Sequence, residues 1–252
     1  MALHTVVFNY LIIAPHVLLV AILVLLIRRQ LIKEFPAFFL YVVSELLQFL
    51  VLFTLLRLPS VPAQTYATGY SVGLGISTLL RFCVLYEVAA HILRDYSVVA
   101  GASKAVFSWA GISLVLVALL LALATLRVSL HQAMSSVYIL DRTATIVQCG
   151  LLLLLFLFSS YLGFSWRSQT FGIALGLGIF ATVELANAAM RAHIPYAYGT
   201  YLDYLTMATY HACVLIWIYY LWVPERVPVQ TQKLPEQDLE AWNRELQRLI
   251  QQ

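Results

Sequence analysis

The chain has 252 residues, 62% of them hydrophobic and 11% charged, with a formal net charge of +3. A soluble domain carries about 25% charged and about 45–50% apolar residues, and a soluble body of this length cannot hide so much apolar surface. The fold class is therefore read as all-α, a polytopic bundle whose first partner is the lipid bilayer, and the scattered basic residues exclude nucleic acid.

The first residues, "MALHTVVFNY", lack a basic leader, and the apolar run continues to Ile27 without a small-residue cleavage site. They read as a spanning helix and not as a cleavable signal. A crossing helix needs roughly 20 apolar residues. Seven segments meet that length, at about 5–27, 36–57, 67–93, 104–126, 135–162, 169–190 and 200–222, so residues 1–223 form a seven-helix transmembrane domain. One side of it receives Arg28, Arg29, Lys33, Arg94, Lys104, Arg167, Arg226 and Lys233, and the other only Arg57, Arg127 and Arg191. Positive charge marks the cytoplasmic side, which places the N-terminus outside and the C-terminus inside a cell (inner) membrane.

After Trp222 the texture changes. Residues 224–235 carry prolines and no apolar period, and read as a linker. Residues 236–252 form an amphipathic cytoplasmic helix with Leu239, Trp242, Leu246, Leu249 and Ile250 on one face and an i,i+4 pair, Glu240 and Arg244, on another. That face is free to dock on the bundle, the membrane surface, a second copy of the chain or a cytoplasmic protein.

Two GxxxG spacings, Gly69/Gly73 and Gly172/Gly176, mark close helix contacts, expected inside the bundle before any dimer. A weak internal echo joins Glu45 and Gln48 in the second span to Glu184 and Asn187 in the sixth, with Arg28 and Arg167 each 17 positions upstream of the glutamate. "CVL" recurs at Cys83 and Cys213, in the third and seventh spans. Spans one to three and five to seven would then be parallel repeats around the fourth, a 3+1+3 arrangement.

Ionisable residues inside a bilayer cost about 2.5–3.5 kcal/mol each and normally face the bundle interior with a partner. From the cytoplasmic end Glu45 lies roughly 12 Å deep, Arg81 roughly 18 Å and Glu87 roughly 9 Å. Arg81 with Glu45 is the reachable intramembrane charge pair; Glu87 and His91, at i,i+4, form a second polar pair nearer the interface. From the outer end Arg142 and Glu184 both lie roughly 9 Å deep. They are expected to pair in an outward-facing polar pocket that also holds Asn187 and Asp203, with Asp141 near the same level.

His16 and His211 share a depth of roughly 16 Å. On neighbouring helices they would hydrogen-bond locally, with Asn9 or Tyr210 as candidate partners; ligation of haem or a metal by the two is the minor reading. The lysines are Lys33, Lys104 and Lys233, none within a span, so a retinal Schiff base has nowhere to form. The three cysteines, Cys83, Cys149 and Cys213, have neither disulfide nor metal spacing and read as packing residues. No converging zinc ligands, GxSxG, P-loop or GxGxxG occur. Neither cofactor nor metal is expected, and no enzyme.

The stretch "QCGLLLLLFLFSSYLGFSWRSQTFGIALGLGIFATVELA", from Gln148 to Ala186, together with the tail "LEAWNRELQRL", resembles a group of bacterial seven-helix membrane proteins to which no activity is assigned. The resemblance spans most of the chain. It implies the seven-helix architecture and a bacterial inner membrane, and brings no site residues with it. The favoured function is a receptor-like or sensory bundle that takes a small-molecule ligand in its outer pocket and signals through its tail. The alternatives are a small-solute transporter built on the repeat, which would want more broken helices, and a structural subunit of a membrane complex.

Overall fold

Proline at the first turn starts a helix without sacrificing a hydrogen bond, and Pro36 does so after a sharp reversal of the chain. The first helix, α1 (Ala2–Arg28), carries Pro15 inside it, and two residues past its end Gln30 takes the left-handed φ of 56°. A short 3-10 turn, Leu31–Lys33, then leads into α2 (Pro36–Arg57), with Leu31 and Phe35 buried as anchors. The computed structural model describes residues 2–58, 61–92, 130–161, 167–191, 193 and 199–223. It continues with α3 (Ala63–Ile92), α4 (Leu130–Tyr161), α5 (Gln169–Arg191) and α6 (Gly199–Trp222). The expected span 104–126, the linker 224–235 and the tail face with Leu239, Trp242, Leu246, Leu249 and Ile250 lie outside the described residues.

The described elements are all helical, and five of the six α-helices are long and apolar enough to cross a membrane: α1, α2, α3, α5 and α6. The protein is a multi-pass membrane protein on that ground. Its outer surface carries Leu40, Leu47, Leu50, Leu56, Ile76, Leu153 and Leu157, side chains that lipid accepts without cost. Cys83 is exposed, Cys149 half-buried and Cys213 buried, and all three are free thiols.

The helices form a ring in which each packs on its neighbour, α6 returns to α1, and α3 also crosses to α5. α1 and α6 run in the same direction: Phe8 meets Tyr204 near their starts, with ring centroids 6.0 Å apart. At their ends the Arg29 guanidinium donates a 2.5 Å hydrogen bond to the Trp222 carbonyl, an acceptor left over at a helix C-terminus. The packing is the same in kind when α1–α3 are exchanged for α4–α6. The contacts α1–α2, α2–α3 and α1–α6 have their counterparts in α4–α5, α5–α6 and α4–α3. Across the ring, Phe38 and Tyr41 of α2 also meet Trp217 of α6.

The two ends of the ring differ. The half away from the N-terminus is solid, with Leu19, Ile22, Leu26, Phe38, Leu85, Val88, Leu152, Ile173, Leu177 and Leu221 buried around Trp217. Trp217 donates its indole N–H to the Ile173 carbonyl at 3.2 Å and lies edge-on to Phe38 and Tyr41. It fits because Gly176 has no side chain: a Cβ there would collide with the indole, and one on Gly172 would collide with the Tyr220 ring. The second GxxxG thus seats two aromatics of the same bundle, and Gly73 of the first leaves room for Gln48.

Polar side chains close this half. The Glu87 carboxylate accepts hydrogen bonds from the backbone N–H groups of Ala37 and Phe38, at 2.8 and 3.0 Å. A helix N-terminus leaves those donors unpaired and favours negative charge, so α3 caps α2 from the side. The expected Glu87–His91 pair thus forms no hydrogen bond among the described residues, although His91 stays within electrostatic reach of Glu87. His91 Nε2 meets Glu34 at 3.1 Å instead, because the start of α2 offers Glu87 two fixed donors.

Candidate functional site

At mid-bundle, directly above the aromatic packing, α3 places Ser77, Thr78 and Arg81 within two turns of one another, all buried. Each addresses a carboxylate on a different helix. Arg81 Nη1 lies 3.0 Å from Glu184 Oε2 of α5, with the arginine side chain 7% and the glutamate 24% exposed. The Ser77 hydroxyl donates to Glu45 of α2, and Thr78 Oγ1 lies 2.6 Å from Asp141 Oδ1 of α4. The guanidinium also sits over the Phe180 ring, 5.3 Å from its centroid, a contact favourable for a cation.

This corrects two expected pairings. Arg81 meets Glu184 and not Glu45, and Arg142 does not meet Glu184. Depth brought all four residues near the correct level, but pairing depends on the direction each faces around its helix. On α2 Glu45 meets the Ser77 hydroxyl, while the α3–α5 crossing delivers Glu184 to the guanidinium. Glu45, Asp141 and Tyr41 remain within electrostatic reach of Arg81. One guanidinium thus serves three acids. Arg81 Nε and the Tyr41 hydroxyl are buried there without a hydrogen-bond partner among the described residues.

Two acids of this layer, Asp141 and Glu184, line a cavity of about 650 Å³ at the N-terminal end of the ring, a volume typical of small-molecule sites. Its wall is built from Tyr70 and Leu74 of α3, Asp141, Arg142 and Thr145 of α4, Glu184, Asn187 and Arg191 of α5, and Asp203 of α6. Arg142, Glu184, Asn187 and Asp203 are thus brought to one surface. Asn187 is buried and donates from Nδ2 to the Leu202 carbonyl at 2.8 Å and to Thr206 Oγ1, which ties α5 to α6. Arg191 and Asp203 pair at 2.5 Å near the mouth, both about half exposed. Arg142 makes no ion pair among the described residues.

The two histidines of equal depth are held separately. His16 Nδ1 lies 2.6 Å from the Ile12 carbonyl, one turn back, with its ring stacked on Phe49 at 3.8 Å. His211 Nε2 lies 3.4 Å from the Tyr10 hydroxyl. Asn9 and Tyr210, the partners expected from the sequence, are thus replaced by Ile12 and Tyr10, which lie one turn away or directly across the parallel α1–α6 contact. No group of three or more metal-ligating side chains occurs among the described residues.

Sequence reasoning missed Ser77, Thr78, Tyr41 and Tyr70. The signal for the first two was available: they precede Arg81 by four and three residues, which puts them on its face of the helix. No protein-family model, curated protein or solved structure matches the chain.

Proposed function

We propose that the protein is a receptor-like bundle that binds a small polar solute from outside, in the cavity that Asp141 and Glu184 help to line. The observation that carries this reading is the asymmetry of the ring. A polar cavity is open at the N-terminal end, whereas packed aromatic and aliphatic side chains fill the opposite half. Such a site holds a solute without offering it a route through, which favours a receptor over the alternative of a small-solute transporter. A structural subunit would have no use for a cavity lined by five charged side chains (Asp141, Arg142, Glu184, Arg191 and Asp203).

The full topology belongs to the same proposal. α3 ends and α4 begins at opposite ends of the ring, which calls for an odd number of crossings between them. That supports seven spans, with 104–126 as the remaining one. Arg28, Arg29 and Lys33 lie at the packed end, which supports an outside N-terminus and a cytoplasmic C-terminus in a bacterial inner membrane. The matched packing of α1–α3 and α4–α6 supports a 3+1+3 repeat. In this reading the tail face around Trp242 passes the bound state to a cytoplasmic protein or a second copy, and the bundle works without catalysis or a cofactor.

Sided thiol labelling tests the reading. In a background lacking Cys83, Cys149 and Cys213, Ala188→Cys on the cavity wall should react with a membrane-impermeant reagent from outside alone. Ala89→Cys, buried in the packed half, should react from neither side. Labelling of Ala89→Cys from the cytoplasm would turn the reading toward transport, and silence at Ala188→Cys would remove the open cavity.

A further inference from the structure

The cavity wall contains three acids and two arginines, and one of the acids, Glu184, is paired with Arg81. Neutralising the partners that touch leaves a simple remainder. Arg81 is taken by Glu184, and Arg191 by Asp203. Of the charges lining the cavity, one anion, Asp141, and one cation, Arg142, make no ion pair among the described residues. They cannot neutralise each other, because consecutive residues on a helix point about 100° apart and do not face one another. Among the described residues Asp141 accepts a 2.6 Å hydrogen bond from the Thr78 hydroxyl, which leaves acceptor capacity on its carboxylate. A second acceptor lies in the same wall: Asn187 is 3% exposed, and its Oδ1 is buried without a partner among the described residues.

From this remainder, and resting on the reading of the cavity as a ligand site, we infer that the ligand is a small zwitterion. Its ammonium group lies toward Asp141 and the Asn187 carbonyl, and its carboxylate toward Arg142. The chemistry suits each end. A guanidinium offers a carboxylate two parallel N–H donors. An ammonium has three donors and no acceptor, and needs oxygen atoms such as Asp141 Oδ and Asn187 Oδ1 around it. A ligand with one charge would match only one of Asp141 and Arg142 and leave the other without a partner in the cavity. Both charges of a zwitterion are needed, so the site also discriminates against plain amines and plain carboxylic acids.

The test uses the purified full chain in lipid nanodiscs, with binding read by isothermal calorimetry and by the shift in melting temperature. The probes are ω-amino acids of increasing length, from glycine to 5-aminopentanoate, each beside the amine and the carboxylic acid of matched carbon count. At least one zwitterion should bind about tenfold or more tightly than both of its singly charged analogues, the equivalent of one good charged contact. Arg142→Gln should abolish the advantage over the amine, and Asp141→Asn the advantage over the carboxylic acid. Equal binding of an amine and its zwitterion would overturn the ligand class while leaving the cavity as a binding site. Failure of every probe would overturn it as well, and labelling at Ala188→Cys would then report separately whether the cavity is open. An advantage that survives both substitutions would show that other residues hold the charges and would sink the assignment.

Discussion

Arg81→Gln is expected to destabilise the protein by about 3–5 kcal/mol, the range for breaking a buried ion pair from one side. The substitution leaves Glu184 without its cation and exposes Asp141 and Glu45 to each other's charge across α3. Thermal unfolding of the purified protein in detergent measures the loss. Glu45→Gln should behave differently. Its amide oxygen still accepts from Ser77, and the change removes one acid from a cluster with too few cations. A cost of about 1 kcal/mol or less is expected, the scale of a single neutral hydrogen bond. Equal losses for the two variants would mean that the guanidinium is shared between Glu45 and Glu184.

Trp217→Ala should be as damaging as the loss of Arg81, at about 3–5 kcal/mol, the usual range for truncating a fully buried large aromatic side chain. Within a bilayer the gain from burial over lipid is small, so helix association rests on close packing and on interhelical hydrogen bonds. Trp217 supplies both. It fills the space above Gly176, meets Phe38 and Tyr41 edge-on, and donates to the Ile173 carbonyl. Trp217→Phe keeps most of the ring contacts and loses the N–H donor, so about 1–2 kcal/mol should go. The difference between the two variants, again by thermal unfolding, separates packing from the hydrogen bond. A Trp217→Ala protein that melts with the wild type would show that the packed half of the ring is not its stable core.

Much of the helical framework could be read from the chain because lipid imposes a length and an apolar composition on each crossing. The expected 36–57 is α2, Pro36–Arg57, to the residue, since Pro36 fixes one end and Arg57 the other. α3 starts four residues earlier than expected, at Ala63, because "AQTY" continues the helix beyond the apolar stretch. Depth was equally legible. Counting residues from a span's end put Arg142, Glu184, Asn187 and Asp203 at one level, and they share one cavity wall. Direction around the helix axis was not legible, because it depends on which helices touch. The α3–α5 crossing gave Glu184 to Arg81, and the lateral approach of α3 to the start of α2 gave Glu87 two backbone donors. The histidines were misjudged for a related reason. An imidazole one turn from a backbone carbonyl takes that local acceptor, as His16 does at Ile12, before it reaches across the bundle.

The pairing of Arg81 with Glu184 decides the rest, since it occupies one acid of the cavity wall and leaves Arg142 to the ligand. A double-mutant cycle on unfolding free energy, combining Arg81→Gln with Glu184→Gln and separately with Glu45→Gln, tests it most directly. A coupling of about 1–3 kcal/mol is expected for Arg81 with Glu184, and a clearly smaller one for Arg81 with Glu45. If the larger coupling lies with Glu45, Glu184 is free to meet Arg142, and both the cavity wall and the zwitterion site described above are wrong.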